Sequence, residues 1–348
     1  MDPIDLVCLG ELLVDMFPSE VGRDLEDVTS FRPVPGGAPA NAAVAASRLG
    51  ARSAFIGKVG EDPFGHRLAS VLAREGVNVD GLRFDLQART TINFMAKPDP
   101  DNYVCLFYRN PGADMLLRSD ELDTALLRRA RALHFGSLSL AQEPSRSATL
   151  EALRIVRAAG GLISFDVNYR PTLWHSAGEA VAQVKAVAPL VDILKVNEGE
   201  LALLTGVTDV MASLPDSSET LWRQTFSDSE NWKVCVVTLG RTGSYFRTAT
   251  AGAFVPGFEV RTVDATGCGD AFIAAFLTRV LGVEAQTAAG PVAPPETAGW
   301  RQGLTPGRLR LAMRFANACG ALTALTQGVI PSLPTALAAE RFLAQRPV

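Results

Sequence analysis

The chain has 348 residues, with 33 Lys or Arg against 37 Asp or Glu, and a formal net charge of -4 at pH 7. This balance argues against a broad basic surface for nucleic acid, and no apolar run approaches the roughly 18 residues of a membrane span. A small-molecule ligand is therefore expected, with neither nucleic acid nor membrane as a partner. The acidic N-terminus and five scattered cysteines without a C-x-x-C pair indicate an untargeted protein of the reducing cytoplasm.

Short β-rich runs alternate with longer helical patterns from the start of the chain. Strands are predicted at residues 6–9 and 54–56, and helical segments at residues 40–49 and 64–74. Three later runs are apolar throughout, as is typical of central parallel strands: residues 162–166, 191–195 and 234–238. The pattern predicts an α/β fold with a sheet flanked by helices and a ligand beyond the carboxyl ends of the strands.

Three segments interrupt this alternation. Residues 12–35 and 90–109 contain short strands without intervening helices, which predicts a small antiparallel lid. Residues 284–303 are rich in Ala, Pro, Thr and Gly and are expected to form a surface-loop insertion. With no repeat or linker, residues 1–348 are interpreted as one domain.

Two polar segments near the N-terminus could face a polyhydroxylated ligand. Gly36 and Gly37 precede a helix of small residues that contains Asn41, and Asp15 follows the first strand. A sugar needs fixed donors and acceptors around its hydroxyls, which these side chains and glycine amides would provide. Taken singly, Asn41 could instead cap its helix and Asp15 could be solvated.

Further polar groups follow the later strands. Asp166 and Asn168 follow one strand and Lys195 and Asn197 the next. Asn197 and Glu200 are three residues apart at a helix start, where they could hold hydrated Mg²⁺ or form a capping box. Thr238 begins a Gly-rich turn containing Gly240 and Gly243, which suits nucleotide phosphates but equally a simple hairpin.

The segment from Val263 to Asp270 (VDATGCGD) precedes an apolar, helix-competent run. Closely spaced glycines and a helix N-terminus direct backbone N–H groups to one point, which stabilises negative charge there. Asp270 lies in the first turn and could accept a proton from a hydroxyl, the arrangement needed for phosphoryl transfer. Alone, the segment could be an ordinary helix start.

Together, the motifs G-G-x-x-x-N, N-x-x-E, T-L-G-x-x-G and D-x-x-G-x-G-D resemble those of the ribokinase-like (PfkB) carbohydrate kinases. The resemblance runs from Gly10 to Ser332. It implies a three-layer α/β/α fold with a central, mostly parallel sheet and a small β-rich lid.

The resemblance also implies roles for individual residues. Asp270 would be the base, and Gly267, Cys268 and Gly269 the anion hole for the transferred group. Residues of the nucleotide and metal sites would be Lys195, Asn197, Glu200, Thr238, Gly240, Gly243 and Asn317, with Gly267 and Gly269 shared. A monovalent cation would be held by Asp264, Thr266, Thr323, Thr326, Gly328 and Ser332.

The sugar contacts implied by the resemblance are Asp15, Gly36, Gly37 and Asn41, together with Asp270. The segments around Arg109 and around Asn168 and Arg170 resemble the fructokinase branch in particular, although either arginine could be a structural ion-pair partner.

Two residues depart from the family motif, Ala265 and Cys268. A thiol at a helix N-terminus beside an anion site should have a lowered pKa, so we expect alkylation of Cys268 to inactivate the enzyme unless ATP protects it. The alternative is a buried, inert thiol.

The resulting prediction is an ATP- and Mg²⁺-dependent fructokinase, with K⁺ as a further cofactor and a homodimer formed through the lid. Other acceptors remain alternatives, namely ribose, 2-keto-3-deoxygluconate, a nucleoside or a phosphorylated sugar. A non-catalytic sugar- or nucleotide-responsive binding protein is the rival from another class.

Overall fold

The computed structural model describes residues 3–98, 104–226, 233–283 and 304–346. Its strands are β1 (Ile4–Leu9), β2 (Leu13–Pro18), β3 (Phe31–Gly36), β4 (Ser53–Gly60), β5 (Asn78–Asp85), β6 (Ile92–Ala96), β7 (Val104–Tyr108), β8 (Ala130–Gly136), β9 (Leu162–Asp166), β10 (Ile193–Asn197), β11 (Val234–Thr238), β12 (Gly243–Arg247) and β13 (Gly252–Pro256). Its helices are α1 (Ala38–Arg48), α2 (Pro63–Arg74), α3 (Thr124–Arg128), α4 (Ser145–Ala158), α5 (Ala177–Val187), α6 (Glu198–Thr205), α7 (Leu214–Thr225), α8 (Cys268–Val280), α9 (Pro306–Thr323), α10 (Val329–Ser332) and α11 (Ala336–Ala344).

Nine strands form the large sheet, in the order β13-β12-β11-β10-β9-β8-β1-β4-β5. The seven strands from β11 to β5 in this order pair in parallel, and β12 and β13 continue the sheet as antiparallel strands. All five residues of β9 are buried, because helices cover both faces of a parallel sheet.

Each central strand contributes to two cores, since successive side chains point to opposite faces of a sheet. In β1, Leu6 and Cys8 belong to the core formed with α1, α2, α8, α9 and α11. Val7 and Leu9 belong to the core formed with α3 to α7. The resulting three layers confirm the predicted α/β/α fold with a mostly parallel central sheet.

A second, small sheet has the strand order β3-β2-β6-β7. The pairs β2–β3 and β6–β7 are antiparallel as expected, but β2 and β6 are parallel. The expected antiparallel pairing therefore holds for two of the three strand pairs, and the pairing of β2 with β6 departs from it. β2 follows β1 in the chain, and β6 follows β5. Because β1 and β5 are parallel strands of the large sheet, β2 and β6 leave the same edge of that sheet in the same direction.

The predicted strands at residues 162–166 and 234–238 coincide with β9 and β11, whereas β10 lies two residues later than predicted. The predicted insertion at residues 284–303 lies outside the described residues. Among the helices that are described, none has the length and apolar character needed to cross a membrane.

Candidate active site

A cavity of about 830 Å³ opens at the carboxyl ends of the parallel strands, between the large and the small sheet. Asp15, Asn93 and Phe107 line it from the small sheet, and residues that end or follow β9, β10 and β11 line it from the large one. The cavity therefore lies at the edge where the sequence predicts a ligand.

The first turn of α8 forms one wall of the cavity. Gly267 is its N-cap, with a φ of 81°, a left-handed conformation that other residues rarely adopt. A Cβ on Gly267 would lie 2.5 Å from Val329 Cγ1, so only glycine fits. Helix geometry leaves the first-turn amides, including those of Gly269 and Asp270, without intrahelical acceptors. Together with the positive end of the helix dipole, they form an anion cradle facing the cavity.

Asp270 lies beside this cradle, half-buried in the cavity wall. Its Oδ2 accepts a 2.8 Å hydrogen bond from Asn41 Nδ2. Burial raises the pKa of Asp270 to about 6, and Asp166 adds to this rise, while Asn41, Lys195 and Arg170 oppose it. A carboxylate with this pKa is ionised at pH 7 yet remains an effective proton acceptor, so Asp270 is suited to act as a general base.

Asp15 is buried on β2 and lines the same cavity. Its Oδ1 accepts a 2.7 Å hydrogen bond from Asn93 Nδ2. Burial raises the pKa of Asp15 to about 6 despite this bond. Gly36 permits the close approach of Asp15, because a Cβ on Gly36 would lie 1.9 Å from Asp15 Oδ2. The alternative of a solvated Asp15 is therefore wrong.

The turn before α1 brings the remaining N-terminal residues to the cavity. Gly37 is the N-cap of α1 with a φ of 108°, and its Cβ position would lie 2.3 Å from the backbone oxygen of Glu11. Asn41 is the fourth residue of the helix and makes no capping bond. Its side chain instead reaches Asp270, so the capping alternative for Asn41 is wrong.

Lys195 and Asp166 form a buried ion pair, with Nζ 2.7 Å from Oδ2. The two residues are direct neighbours in the register of β10 and β9. Burial lowers the pKa of Lys195, but the carboxylates of Asp166 and Glu200 outweigh it and the pKa is raised. A Cβ on Gly269 would lie 3.5 Å from Lys195 Nζ, so this positive charge borders the anion cradle.

Asn197 and Glu200 form the capping box that was one of the two interpretations of their spacing. Glu200 Oε2 accepts from the N–H of Asn197 at 2.8 Å, and its Oε1 accepts from the N–H of Tyr169 at 2.7 Å. Asn197 lines the cavity, whereas Glu200 is buried behind it. Within the described parts of the chain, no cluster of three or more His, Cys, Asp or Glu could hold a metal.

The two arginines differ in position. Arg170 lines the cavity, where Asn168 precedes it with a strained φ of 41°. Arg109 is buried and does not line it, because its guanidinium is 2.7 Å from Asp114 and donates to the backbone oxygen of Leu138. The structure therefore supports the ion-pair interpretation for Arg109, since a buried guanidinium needs a partner and Asp114 is only five residues away.

The predicted nucleotide residues line the opposite part of the cavity. Thr238, Gly240 and Gly243 lie at the turn between β11 and β12, so the segment is both a hairpin and part of the cavity wall. Asn317 on α9 donates to the backbone oxygens of Val255 and Pro256, at 3.1 Å each. These two bonds connect α9 to the end of β13 beside the cavity.

The structure groups only part of the predicted cation site. Asp264 Oδ1 accepts from the N–H and hydroxyl of Thr266, and its Oδ2 accepts from the N–H of Gly328 at 3.1 Å. The hydroxyls of Thr323 and Ser332 donate to carbonyls of their own helices, and Thr326 is exposed. Asp264 thus connects the loop before α8 with the loop before α10.

The surroundings of Cys268 favour the alternative of an inert thiol over a reactive one. Cys268 lines the cavity in the first turn of α8, but burial raises its thiol pKa to about 12, with further contributions from the carboxylates of Asp264 and Asp270. These effects outweigh the helix dipole on which the expectation was based. The alternative of an unreactive thiol is the one that the geometry supports.

Two polar cavity residues were not singled out from the sequence, although Glu11 stands in the segment before Asp15 that was expected to face the ligand. Asn93, on β6, donates a hydrogen bond to Asp15. Glu11, just after β1, accepts a 2.9 Å hydrogen bond from the N–H of Ala38. A polar residue two positions after the apolar run at residues 6–9 was the available signal for Glu11. Asn93 has no comparable signal, because its partner is 78 residues away in sequence.

Comparisons with known proteins agree with this geometry. A family model described as pfkB family carbohydrate kinase matches residues 3–336. Fructokinase-2 of Solanum habrochaites is 42% identical over 331 residues, covering 95% of this chain and 93% of the relative. Fructokinase-1 of Zea mays is 42% identical over 330 residues, covering 95% and 94%.

Solved structures give the same result. The structure of fructokinase from Xylella fastidiosa with bound ATP superposes with a TM-score of 0.82 at 29% identity, covering 98% of each chain. A double mutant of fructokinase from Vibrio cholerae, with fructose, ADP and potassium ion bound, gives 0.81 at 32% identity and 99% coverage of each. A putative ribokinase II from E. coli in complex with ATP and Mg²⁺ gives 0.79 at 26% identity, covering 99% of this chain and 100% of that one.

Proposed function

The chain belongs to the pfkB family of carbohydrate kinases, and on this basis we propose that it transfers the γ-phosphoryl group of ATP to a primary hydroxyl of free fructose. The observation that carries the proposal is the position of Asp270, a half-buried carboxylate held by Asn41 beside the anion cradle of α8. A base and an anion site in one cavity are the two elements that phosphoryl transfer requires. The fructokinase relatives support fructose as the acceptor.

Asp270 takes the proton from the acceptor hydroxyl, whose oxygen attacks the γ-phosphorus as ADP leaves. The amides at Gly267, Cys268 and Gly269 offset the negative charge on the transferred group, and Lys195 adds a fixed positive charge next to them. Most of the rate acceleration then comes from positioning and electrostatics.

The acceptor sugar binds between the small sheet and the first turn of α1. We assign it to Asp15, Gly37 and Asn41, with Asn168 and Arg170 on the facing wall. Gly36 allows Asp15 to reach this position, and Arg109 supports the site from behind through Asp114. The nucleotide binds on the other side of the cradle, along Thr238, Gly240, Gly243 and Asn317.

The residues at the strand ends fit a hydrated Mg²⁺. Asp166 Oδ1 is buried without a hydrogen-bond partner among the described residues, and Asn197 lines the cavity nearby. Hard oxygen groups of this kind suit Mg²⁺, with Glu200 holding Asn197 in place. When bound, Mg²⁺ neutralises charge on the phosphates.

A monovalent cation would be held by the loop around Asp264, Thr266 and Gly328. The carboxylate of Asp264 already orders this loop next to the cradle. Oxygen ligands of this type suit K⁺. The V. cholerae fructokinase with bound potassium ion supports the assignment.

We propose that residues 1–348 act as a single kinase domain, that the small sheet is its lid, and that the outer face of the lid forms a homodimer. Val104, Leu106 and Tyr108 project from that face with exposed fractions of 44%, 47% and 64%. Phe94 contacts both Phe31 and Tyr108, so the exposed apolar surface is continuous. Analytical sedimentation of the wild type and of Leu106→Glu tests the dimer. The wild type should sediment as a dimer and the variant as a monomer.

We also propose a cytoplasmic location. All five cysteines are free, and Cys8, Cys235 and Cys319 are buried. Free thiols of this number fit a reducing compartment.

The test of the function is release of ADP from Mg-ATP across free sugars, phosphosugars and nucleosides, with and without K⁺. Asp270→Asn, purified in parallel, controls for contaminating kinases. Selective turnover of fructose is the expected result. Preference for ribose, 2-keto-3-deoxygluconate or a nucleoside would revise the acceptor, and no turnover would favour a non-catalytic binding protein.

A further inference from the structure

Glu11 has a carboxylate oxygen that no other described residue satisfies, although its own backbone N–H lies close enough to lower the pKa of the carboxyl. The residue follows β1, is only 3% exposed and lines the cavity. Its Oε1 accepts from the N–H of Ala38 at 2.9 Å, but its Oε2 is buried without a hydrogen-bond partner among the described residues. A buried polar atom is normally paired, so an unpaired one at a cavity wall indicates a missing ligand group.

The nearby cation does not fill this role. Arg109 lies close enough to influence Glu11 electrostatically, yet its guanidinium is engaged by Asp114 and by the backbone oxygen of Leu138. Burial raises the pKa of Glu11 to about 7, which is the expected result for a carboxyl group without a direct ion-pair partner.

Two further unpaired oxygens belong to other residues that line the cavity. Asn41 Oδ1 and Asn93 Oδ1 are also buried without partners in the described residues, while the amide nitrogens of both side chains are used on Asp270 and Asp15. Unpaired acceptors on three residues of one cavity wall, two of which also hold a carboxylate, favour a neutral ligand with several hydroxyl donors and disfavour an anionic one.

We infer that Glu11 is a further sugar-recognition residue, whose Oε2 bonds one hydroxyl of the acceptor. The inference rests on the proposed function. Its Oε1 meanwhile holds the turn from Gly37 to Asn41, so one side chain both contacts the sugar and positions a second sugar-binding element. The hydroxyl it contacts is not the one that is phosphorylated, because that hydroxyl must lie at Asp270.

The test compares kcat/KM for fructose and for its monodeoxy analogues between enzyme variants, in the manner of a double-mutant cycle. Glu11→Gln retains an oxygen for the N–H of Ala38 and replaces the charged acceptor by an amide NH₂ group, which cannot accept a hydrogen bond. In the wild type, one analogue should lose roughly 10-fold or more in kcat/KM relative to fructose, as expected for a hydrogen bond to a charged group. In Glu11→Gln that ratio should fall to within a few-fold of one, with the ratios of the other analogues unchanged.

Asp192→Asn is the matched control, because Asp192 is equally buried but both of its oxygens are paired and it does not line the cavity. It should leave every analogue ratio as in the wild type. If Glu11→Gln lowers turnover of all the sugars by one common factor, or changes none of them, the inference is wrong. Glu11→Asp, which retains the charge and withdraws the oxygen, replaces Glu11→Gln should the latter not fold.

The proposed function can fail separately. Binding of fructose to the wild type is measured first, by calorimetry in the absence of ATP. Binding without turnover would contradict the kinase proposal and leave the analogue cycle to be run on binding constants. A wild type that neither binds nor phosphorylates fructose would overturn both.

Discussion

Asn41 Nδ2 donates a 2.8 Å hydrogen bond to Asp270 Oδ2 and thereby connects the first turns of α1 and α8, which are 229 residues apart in sequence. One helix start carries the proposed sugar contact and the other the proposed base. The bond fixes the orientation of a carboxylate that lines the cavity and engages only its Oδ2. The relationship between these two residues can be tested from either side.

Asp270→Asn removes the base while preserving the shape of the side chain and an oxygen for Asn41. We expect kcat to fall by about 10²- to 10⁴-fold, the usual contribution of a general base. ATP binding should be nearly unchanged, because the cradle amides belong to the backbone. Steady-state kinetics and calorimetric titration with ATP measure the two effects, and equal losses in both would contradict the assignment.

Asn41→Ala removes a donor that stabilises the charged form of Asp270. The pKa of Asp270, about 6 in the wild type, should therefore rise, because Asn41 is among the groups that lower it. The acid limb of kcat/KM should move to higher pH, so that the activity deficit at pH 7 is partly recovered above pH 8. An acid limb at the wild-type position would show that Asn41 does not act through Asp270.

The buried carboxyl of Asp15 should make stability depend on pH. Its pKa rises from 3.8 to about 6 on folding, so the folded state binds more protons between these values than the unfolded state. Its contribution to stability is full below about pH 4 and is lost as the pH rises through about 6. Asp15→Asn should stabilise the ligand-free protein by on the order of 1–3 kcal/mol at pH 8.

The same substitution should have little effect on stability at pH 4, where Asp15 is already protonated. Urea unfolding at the two pH values measures this difference. A similar change in free energy at both would assign the effect to packing and not to charge.

Gly267→Ala tests the geometry of the cradle. An alanine there would have to adopt a φ of 81° and would meet Val329 Cγ1 at 2.5 Å. The strain of the left-handed conformation is roughly 1–2 kcal/mol before the clash is counted. Movement of the turn should lower kcat by roughly 10² without unfolding the protein. Gly206→Ala is the control, since its φ is also positive but no atom lies within 4 Å of the new Cβ.

Cys268 should react slowly with alkylating agents. With a pKa of about 12, roughly one thiol in 10⁴ is ionised at pH 8, and the thiolate is the reactive form. Mass spectrometry measures the rate at which iodoacetamide labels Cys268 in the native protein and in the protein unfolded with urea. Rapid native labelling that ATP prevents would restore the hypothesis of a reactive cysteine.

The strand positions and the main site motifs could be predicted because they depend on local pattern. Runs of buried apolar residues identified β9 and β11, and the glycines around Asp270 mark a turn that few other residues could make. In these places, sequence neighbours determine the structure.

Other features depend on contacts between distant segments and were not predictable. The pairing of Asp15 with Asn93, and of Asn41 with Asp270, joins separate parts of the chain. Sequence spacing also left two interpretations for Arg109 and Glu200, and the structure shows an ion pair at the first and a capping box at the second. For Cys268, local pattern indicates a lowered thiol pKa, whereas burial and the carboxylates of Asp264 and Asp270 favour a raised one.

The carboxylate of Asp264 joins the loop before α8 to the N–H of Gly328, and Val329 packs against Gly267. The anion cradle is therefore completed only by residues near the C-terminal end of the fold. A chain cut before residue 328 would retain the large sheet, the small sheet and Asp270, yet its cradle would lack the support that shapes it. During synthesis on the ribosome, the cradle therefore gains this support only after residue 329 has emerged.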